Sequence, residues 1–250
     1  MSAKTKAKTR RYRLGSPLIP MVLSAFAVIL LASLVFCKTA KIIVIGANRY
    51  SAEEIAQTSG VKLGSSTLFL SPEKIAKSIS EKYPYISQVA VKGAFSDTVE
   101  ITVTEETPRA FITVGGEFLL IDRLARGLET VSQKPAGLIE VSGITLTGTI
   151  PGKPLMLDPA YAWQPQIILN VIEALDANGI YGSVPIISVG RRDAISFNYE
   201  NRFTVIIRDG LNAKKDVATF LSSLTQKPEE ITSGVAEVTE NNEVLYSVAR

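Results

Sequence analysis

Apolar and polar positions divide the chain into one uncharged stretch near its start and a longer region where helical and alternating periods take turns. Pro17 to Cys37 is 21 residues without a charge. At the helical rise these reach about 30 Å, the thickness of a bilayer's hydrocarbon core. A membrane-spanning helix is predicted over 17–37. Beyond it, Lys41 to Ile45 is a β-branched run that reads as a strand. Ser51-Ala52-Glu53-Glu54 has the spacing of a capping box, and Gly60 is expected to end the helix it opens. Ser71-Pro72-Glu73 predicts a second helix start, with a capping hydroxyl, a proline in the first turn and a charge that suits the dipole. Ile75, Ile79, Ala76 and Tyr83 form its buried stripe, and Lys74, Lys77, Ser78 and Glu81 its wet side. After Pro84 the period changes to two. Val89 and Val91, then Val99, Ile101 and Val103, alternate with polar neighbours as half-buried strands do. A hairpin around Gly93 to Asp97 joins them, which gives a β-α-α-β-β domain over 41–108.

From 109 to 250 strands dominate. Ala110 to Val114 and Phe118 to Ile121 flank Gly115-Gly116, a pair suited to a tight hairpin. Ile139 to Val141 predicts a short strand and Pro151 to Pro165 a loop. Ile167, Ile168, Val171, Ile172 and Leu175 make a helical stripe closed by Asn178-Gly179. Strands follow at Ile186 to Val189, Ala194 to Tyr199 and Arg202 to Ile207, and a meander is their simplest pairing. Ala213 to Leu224 predicts a helix, and Gly234 to Thr239 with Glu243 to Val248 a closing hairpin over Asn241-Asn242. The expected fold class is α+β: one transmembrane helix, the small first domain, then a larger antiparallel β domain with packed helices.

Charge orients this plan. Lys4, Lys6, Lys8, Arg10, Arg11 and Arg13 stand unopposed by any acid before Pro17, so residues 1–16 are expected as a basic cytoplasmic tail and everything after Lys38 as extracytoplasmic. A cleaved signal peptide would need a shorter apolar core, roughly 7 to 15 residues, and a small-x-small site, and Phe36 before Cys37 fits lipoprotein processing poorly. The 27 basic and 24 acidic residues include those six tail charges. The outer part is therefore 21 minus 24, or −3, which gives no electrostatic footprint for nucleic acid. The single cysteine, Cys37, excludes a disulfide framework. The absence of histidine excludes imidazole metal sites and Ser-His or Cys-His catalysis. No cofactor, metal or catalytic residue is expected.

The early motif Val44-Ile45-Gly46-Ala47-Asn48, with Tyr50, Ser51 and Glu54-Ile55, resembles the opening of the POTRA domain in the FtsQ/DivIB family of division proteins. Denser still is Tyr83-Pro84-Tyr85-Ile86-x-x-Val89-x-Val91, followed by Asp97-Thr98-Val99-x-Ile101-x-Val103-x-Glu105-x-x-Pro108-x-Ala110. Leu120-Ile121-Asp122 resembles the segment that opens the family's β domain. Where that family commonly has proline before the Asp-Thr pair, this chain has Ser96, a less stiff turn. Over 109–250 the resemblance is looser.

The resemblance implies a non-catalytic bitopic scaffold of the divisome in the cytoplasmic membrane at the septum. It implies FtsL-like and DivIC/FtsB-like partners and a link to septal peptidoglycan synthase. Binding is expected by strand addition to the sheet edge formed by Glu243, Val244, Leu245, Tyr246, Ser247 and Val248, with Val244, Tyr246 and Val248 on one face. Two rival classes are a POTRA-bearing secretion or transport component and a membrane-anchored peptidoglycan-binding module or enzyme. An enzyme would draw on Asp122, Arg192 and Asp193. Gly190-Arg191-Arg192-Asp193 reads either as an anion pocket or as exposed charges at a strand start.

Overall fold

The computed structural model describes residues 18–36, 38–67, 70–93, 97–208, 210–226 and 231–247. Helix α1 (Leu18–Phe36) occupies the uncharged segment. The expected tail, 1–16, lies outside the described residues. Among the described residues no helix is long and apolar enough to cross a membrane. The large side chains described on α1 have no apolar cover, from Leu23 and Phe26 at 62% exposure to Met21 at 70%.

The first domain is built on a three-stranded sheet of β1 (Lys41–Ile45), β2 (Ile86–Lys92) and β3 (Thr98–Glu105), in the order β1-β3-β2. β1 runs parallel to β3, and β2 is antiparallel to it. The hairpin turn, residues 94–96 with Ser96, lies outside the described residues. Helix α2 (Ala52–Thr58) opens on a reciprocal capping box: Glu54 N donates to Ser51 Oγ and Ser51 N to Glu54 Oε2, each at 3.2 Å. Helix α3 (Pro72–Lys82) starts at Ser71, but the serine makes no side-chain capping bond. Its start rests on Pro72, whose fixed φ and missing N–H suit the first turn. Ile55, Ile75, Ile79, Tyr83, Ile86, Val99, Ile101 and Val103 form the core. Each fully buried aliphatic there stabilises by about 1.5–3 kcal/mol. Gly46, at φ +88°, is required by close approach, since a Cβ there would meet Val103 O at 2.1 Å.

The rest of the chain forms β4 (Pro108–Val114), β5 (Glu117–Asp122), β6 (Arg126–Val131), β7 (Ile139–Ser142), β8 (Leu146–Gly148), β9 (Lys153–Pro154), β10 (Met156–Leu157), α4 (Gln164–Ala177), β11 (Ile186–Ser188), β12 (Ile195–Tyr199), β13 (Phe203–Ile207), α5 (Ala213–Leu224), β14 (Gly234–Val238) and β15 (Val244–Ser247). Among the described residues ten of these strands make one sheet, in the order β15-β14-β13-β12-β11-β7-β4-β5-β6-β9, while β8 pairs with β10 apart from it. The expected meander is present, with β11, β12 and β13 pairing antiparallel in sequence. The sheet as a whole is mixed, however, not antiparallel. β4 with β7, β7 with β11 and β13 with β14 run parallel. For two of these pairs the cause lies in the connections: α4 lies between β7 and β11, and α5 between β13 and β14, and a helical crossover returns the chain in its starting direction, whereas β4 and β7 are joined through β5 and β6. Both helices cover one face. Ile168, Val171, Leu175, Val217 and Phe220 meet the inward positions of the strands, among them Val141, Ile187, Phe197, Val205 and Ala236. Gly115 and Gly116, at φ +60° and +91°, make the β4–β5 turn; left-handed backbone at both central positions matches the twist of the strands.

The two domains meet through a second small core of Tyr85, Phe111, Leu120 and Leu128 and through buried charge. Asp122 is 0% and Arg126 9% exposed. Arg126 Nε donates to Asp122 Oδ2 at 2.8 Å, and its Nη1 donates to Ile86 O at 3.1 Å in the first domain and to Gly152 O at 3.3 Å in the second. Asp122 Oδ1 accepts from the backbone N–H of Leu124 and of Arg126, each at 2.9 Å. Beside this clamp, Arg123 grips Glu106 through Nε and Nη2 at 2.7 and 3.1 Å, and Ser87 Oγ donates to Glu106 Oε1 at 3.0 Å. Tyr85 OH donates to Glu129 at 2.5 Å, and Arg49 both pairs with Glu129 and stacks 3.8 Å over the Tyr85 ring. Burial and the Glu129 carboxylate push the Tyr85 hydroxyl far above its ordinary value.

Burial disfavours the Glu106 carboxylate, but the bonds from Arg123 and Ser87 and the nearby arginine charges outweigh it and hold its pKa below the ordinary 4.5. A depressed carboxylate stabilises the fold above its unfolded pKa and loses that contribution as pH falls through the folded value. Glu106→Gln is therefore expected to lower the melting temperature at pH 7 and to leave it near the parent's under strongly acid conditions, read from melts across the acid range. Asp122→Ala strands a buried guanidinium and is expected to cost roughly 3–5 kcal/mol in chemical denaturation. The double variant Asp122→Leu/Arg126→Met should lose less, because no unpaired charge remains.

Candidate partner-binding edge

The residues expected to receive a partner lie at one end of the ten-stranded sheet. Val244 to Ser247 form β15, which among the described residues pairs only with β14, in the register Val238↔Val244, Glu237↔Leu245, Ala236↔Tyr246 and Val235↔Ser247. Glu243 is not in the strand. It closes the hairpin, accepting from Thr239 N at 2.9 Å and donating its own N–H to Thr239 Oγ1 at 3.2 Å. Val248 lies outside the described residues.

Thr239 and Glu243 are thus a hydrogen-bonded pair, and bonded pairs alternate with non-bonded ones along an antiparallel ladder. Leu245 and Ser247 then turn their backbone groups toward β14, while Val244 and Tyr246 turn theirs outward. The side chains divide the other way. Val244 and Tyr246 pack against the helix-covered core, where the Tyr246 ring lies 5.9 Å from that of Phe203 and its hydroxyl 2.6 Å from Ser223 Oγ. Leu245, 57% exposed, and Ser247 face solvent. The open edge therefore offers N–H and C=O groups from the two residues whose side chains are held fastest.

Beside the edge runs a groove lined by Thr219, Ser222, Ser223 and Gln226 with Asn242, Glu243, Val244 and Tyr246. Thr219, Ser222 and Ser223 of α5, with Gln226 two residues past its end, were missed by reading that helix for its apolar stripe alone. Their spacing of i, i+3, i+4 and i+7 was the available signal. At the opposite end the sheet closes with β9, two residues long and ending in Pro154, which has no N–H to give.

The three residues that an enzyme would have used are not assembled. Asp122 is engaged in the interdomain clamp. Asp193, fully exposed, is bonded by Arg191 at 3.1 and 2.8 Å, which holds its carboxyl below the ordinary value. Arg192 lines an open cleft with Arg208 and Lys215. Among the described residues no group of three or more His, Cys, Asp or Glu is placed to hold a metal ion.

Comparison with known proteins accounts for the first domain. Residues 37–106 match the POTRA domain, FtsQ-type. Similar proteins include the cell division protein FtsQ of Anaeromyxobacter sp. (strain K), 30% identical over 31% of this chain and 26% of that one. Another is FtsQ of Geobacter sp. (strain M21), 36% identical over 30% of this chain and 27% of that one. The match thus spans about a quarter of the length of each relative. A solved structure, the major extracytoplasmic domain of the trans isomer of DivIB from Geobacillus stearothermophilus, aligns at 10% identity over 50% of this chain and 99% of that one, with a TM-score of 0.32, too distant to add weight. Residues 37–106 are thus similar to the POTRA domain of FtsQ-type cell division proteins.

Proposed function

We propose that the chain is a non-catalytic, single-pass scaffold of the bacterial divisome that holds partner proteins by adding their strands to β15. The observation that carries this reading is the outward-facing backbone of Val244 and Tyr246 at a sheet end that no other described residue pairs with, in a chain whose residues 37–106 match an FtsQ-type POTRA domain. Strand addition draws its affinity from main-chain hydrogen bonds and its selectivity from the side chains flanking them. Here the groove beneath α5 lies on one side and exposed Leu245 on the other. The partners expected at this edge are FtsL-like and DivIC/FtsB-like proteins, with septal peptidoglycan synthase reached through them.

The units of this proposal are a cytoplasmic tail over 1–16, a membrane anchor over 17–37, the POTRA domain over 41–108 and the receiving sheet over 109–250. Support for the anchor comes from 21 consecutive uncharged residues behind six cations and from the lack of apolar cover over Ile19 to Ile29. A helix apolar on all sides needs a nonaqueous surrounding.

A pull-down from membranes with and without residues 243–250 tests the edge. Loss of division partners on deletion is expected, and unchanged recovery from a folded domain would refute it. A sharper version uses Val244→Pro, which removes an outward N–H and no bond to β14. It should weaken partner binding about tenfold, ~1.4 kcal/mol for one acceptor left unpaired, with the melting temperature held. Leu245→Pro should lower both. A fluorescent fusion is expected at midcell, and an even distribution around dividing cells would sink the divisome reading itself.

A further inference from the structure

Connectivity and charge meet at one end of the POTRA sheet. Once α1 ends at Phe36, only Cys37 precedes Lys38, which forms a bridge with Ser66. Thr39 N donates to Ser65 O at 2.8 Å and Gly64 N to Thr39 O at 2.7 Å. The loop from Val61 to Ser66 is thereby pinned to the first residues after the helix. Two residues of extended chain reach about 7 Å, roughly the depth of one headgroup layer. The tip of this loop is Lys62-Leu63, with Leu63 67% exposed.

The sheet register brings more cations to the same end. Lys41 pairs with Thr98 at the start of β3, and Lys92 pairs with Glu100 two residues further on. Lys38, Lys41, Lys62 and Lys92 are all exposed, and among the described residues none takes part in an ion pair. Asp97 is an acid at this rim, and Glu100 stands directly across from Lys92. Four lysines thus stand with two carboxylates, Asp97 and Glu100, at the end joined to α1, although the outer part as a whole carries −3 from 21 basic and 24 acidic residues.

We infer that this rim is a lipid-facing surface. Lys38, Lys41, Lys62 and Lys92 engage the anionic phospholipid headgroups of the membrane that α1 crosses, and Leu63 enters the interface between them. The inference rests on α1 being the anchor. A protein partner fits this surface less well, because lysine is depleted from the cores of protein interfaces, whereas a basic rim with one exposed leucine suits a charged, partly apolar boundary. The tether also fixes the distance: a bilayer crossed by α1 must lie within reach of the loop.

The test uses the full chain with Cys37→Ser in nanodiscs, carrying an environment-sensitive fluorophore at Leu63→Cys, at Ala27→Cys on α1, or at Ser247→Cys on β15 as a remote control. In discs containing phosphatidylglycerol, a nitroxide at headgroup depth is expected to quench the probe at 63 and not that at 247. Lys38→Glu and Lys62→Glu should each reduce the contact roughly fivefold. Equal quenching at 63 with and without phosphatidylglycerol, untouched by the lysine changes, would overturn the headgroup contact, as would no quenching there at all. If the probe at 27 is quenched by an acyl-chain nitroxide in those cases, the anchor stands and only the lipid seat falls. Should the probe at 27 stay unquenched, the anchor reading fails and this one with it.

Discussion

The junction between the two sheets depends on how Arg126 is paired. A guanidinium 9% exposed beside a carboxylate 0% exposed is a desolvated pair, and such pairs are tolerated only where the remaining donors and acceptors also find partners. Asp122 Oδ1 is met by two backbone N–H groups, and Arg126 reaches two carbonyls that belong to different domains. Sequential domains joined by a short linker ordinarily move against one another, and here only Glu106 and Thr107 separate β3 from β4. The arginine's reach to Ile86 O closes that hinge from β2, the strand paired beside the linker. Glu106 closes it from the linker itself through Arg123 and Ser87, so the POTRA sheet and the large sheet are cross-braced at two points.

This explains what the sequence disclosed and what it hid. Elements with a clean period were legible to within a residue or two: β1, the capping box of α2, the stripe of α3, the β4–β5 turn and the whole of α5. β6 was not, because its inward positions are Arg126, Gly127 and Leu128, and a buried arginine followed by glycine does not look like a strand in any alternation. The residue that makes the junction possible is the one that disguises the strand containing it. Asp122 was open to misreading for the same reason, since a carboxylate at a strand end reads as chemistry until its partner four residues on is seen to be buried with it. Parallel pairing was illegible on other grounds. A period of two states which face is buried and is silent about which neighbour lies alongside.

For the edge, position was legible and direction was not. Alternation along Glu243 to Val248 predicts which side chains share a face, and Val244 and Tyr246 do share the core face. Which backbone groups remain open depended on the bond between Thr239 and Glu243, a turn geometry that Asn241-Asn242 does not specify alone. Asn242, at φ +60°, supplies the left-handed residue that sets this phase.

Sheet ends are ordinarily protected by lysine, proline, a bulge or shortness, and the large sheet treats its two ends differently. β9 is two residues long and carries both Lys153 and Pro154. β15 has neither residue type between Val244 and Ser247, shows no register break against β14, and exposes Leu245 beside its open backbone. Left uncovered, such a strand would recruit any extended segment that met it, including a second copy of itself. Under the proposed function that cover is a partner strand. Tyr246 is tied to Ser223 on α5 and packed on Phe203, so the edge is stiff and its groove preformed, which lowers the ordering cost for whatever strand is added. On the proposed reading, a chain that blunts one end of its sheet and braces the other without blunting it leaves that second edge ready for a partner strand.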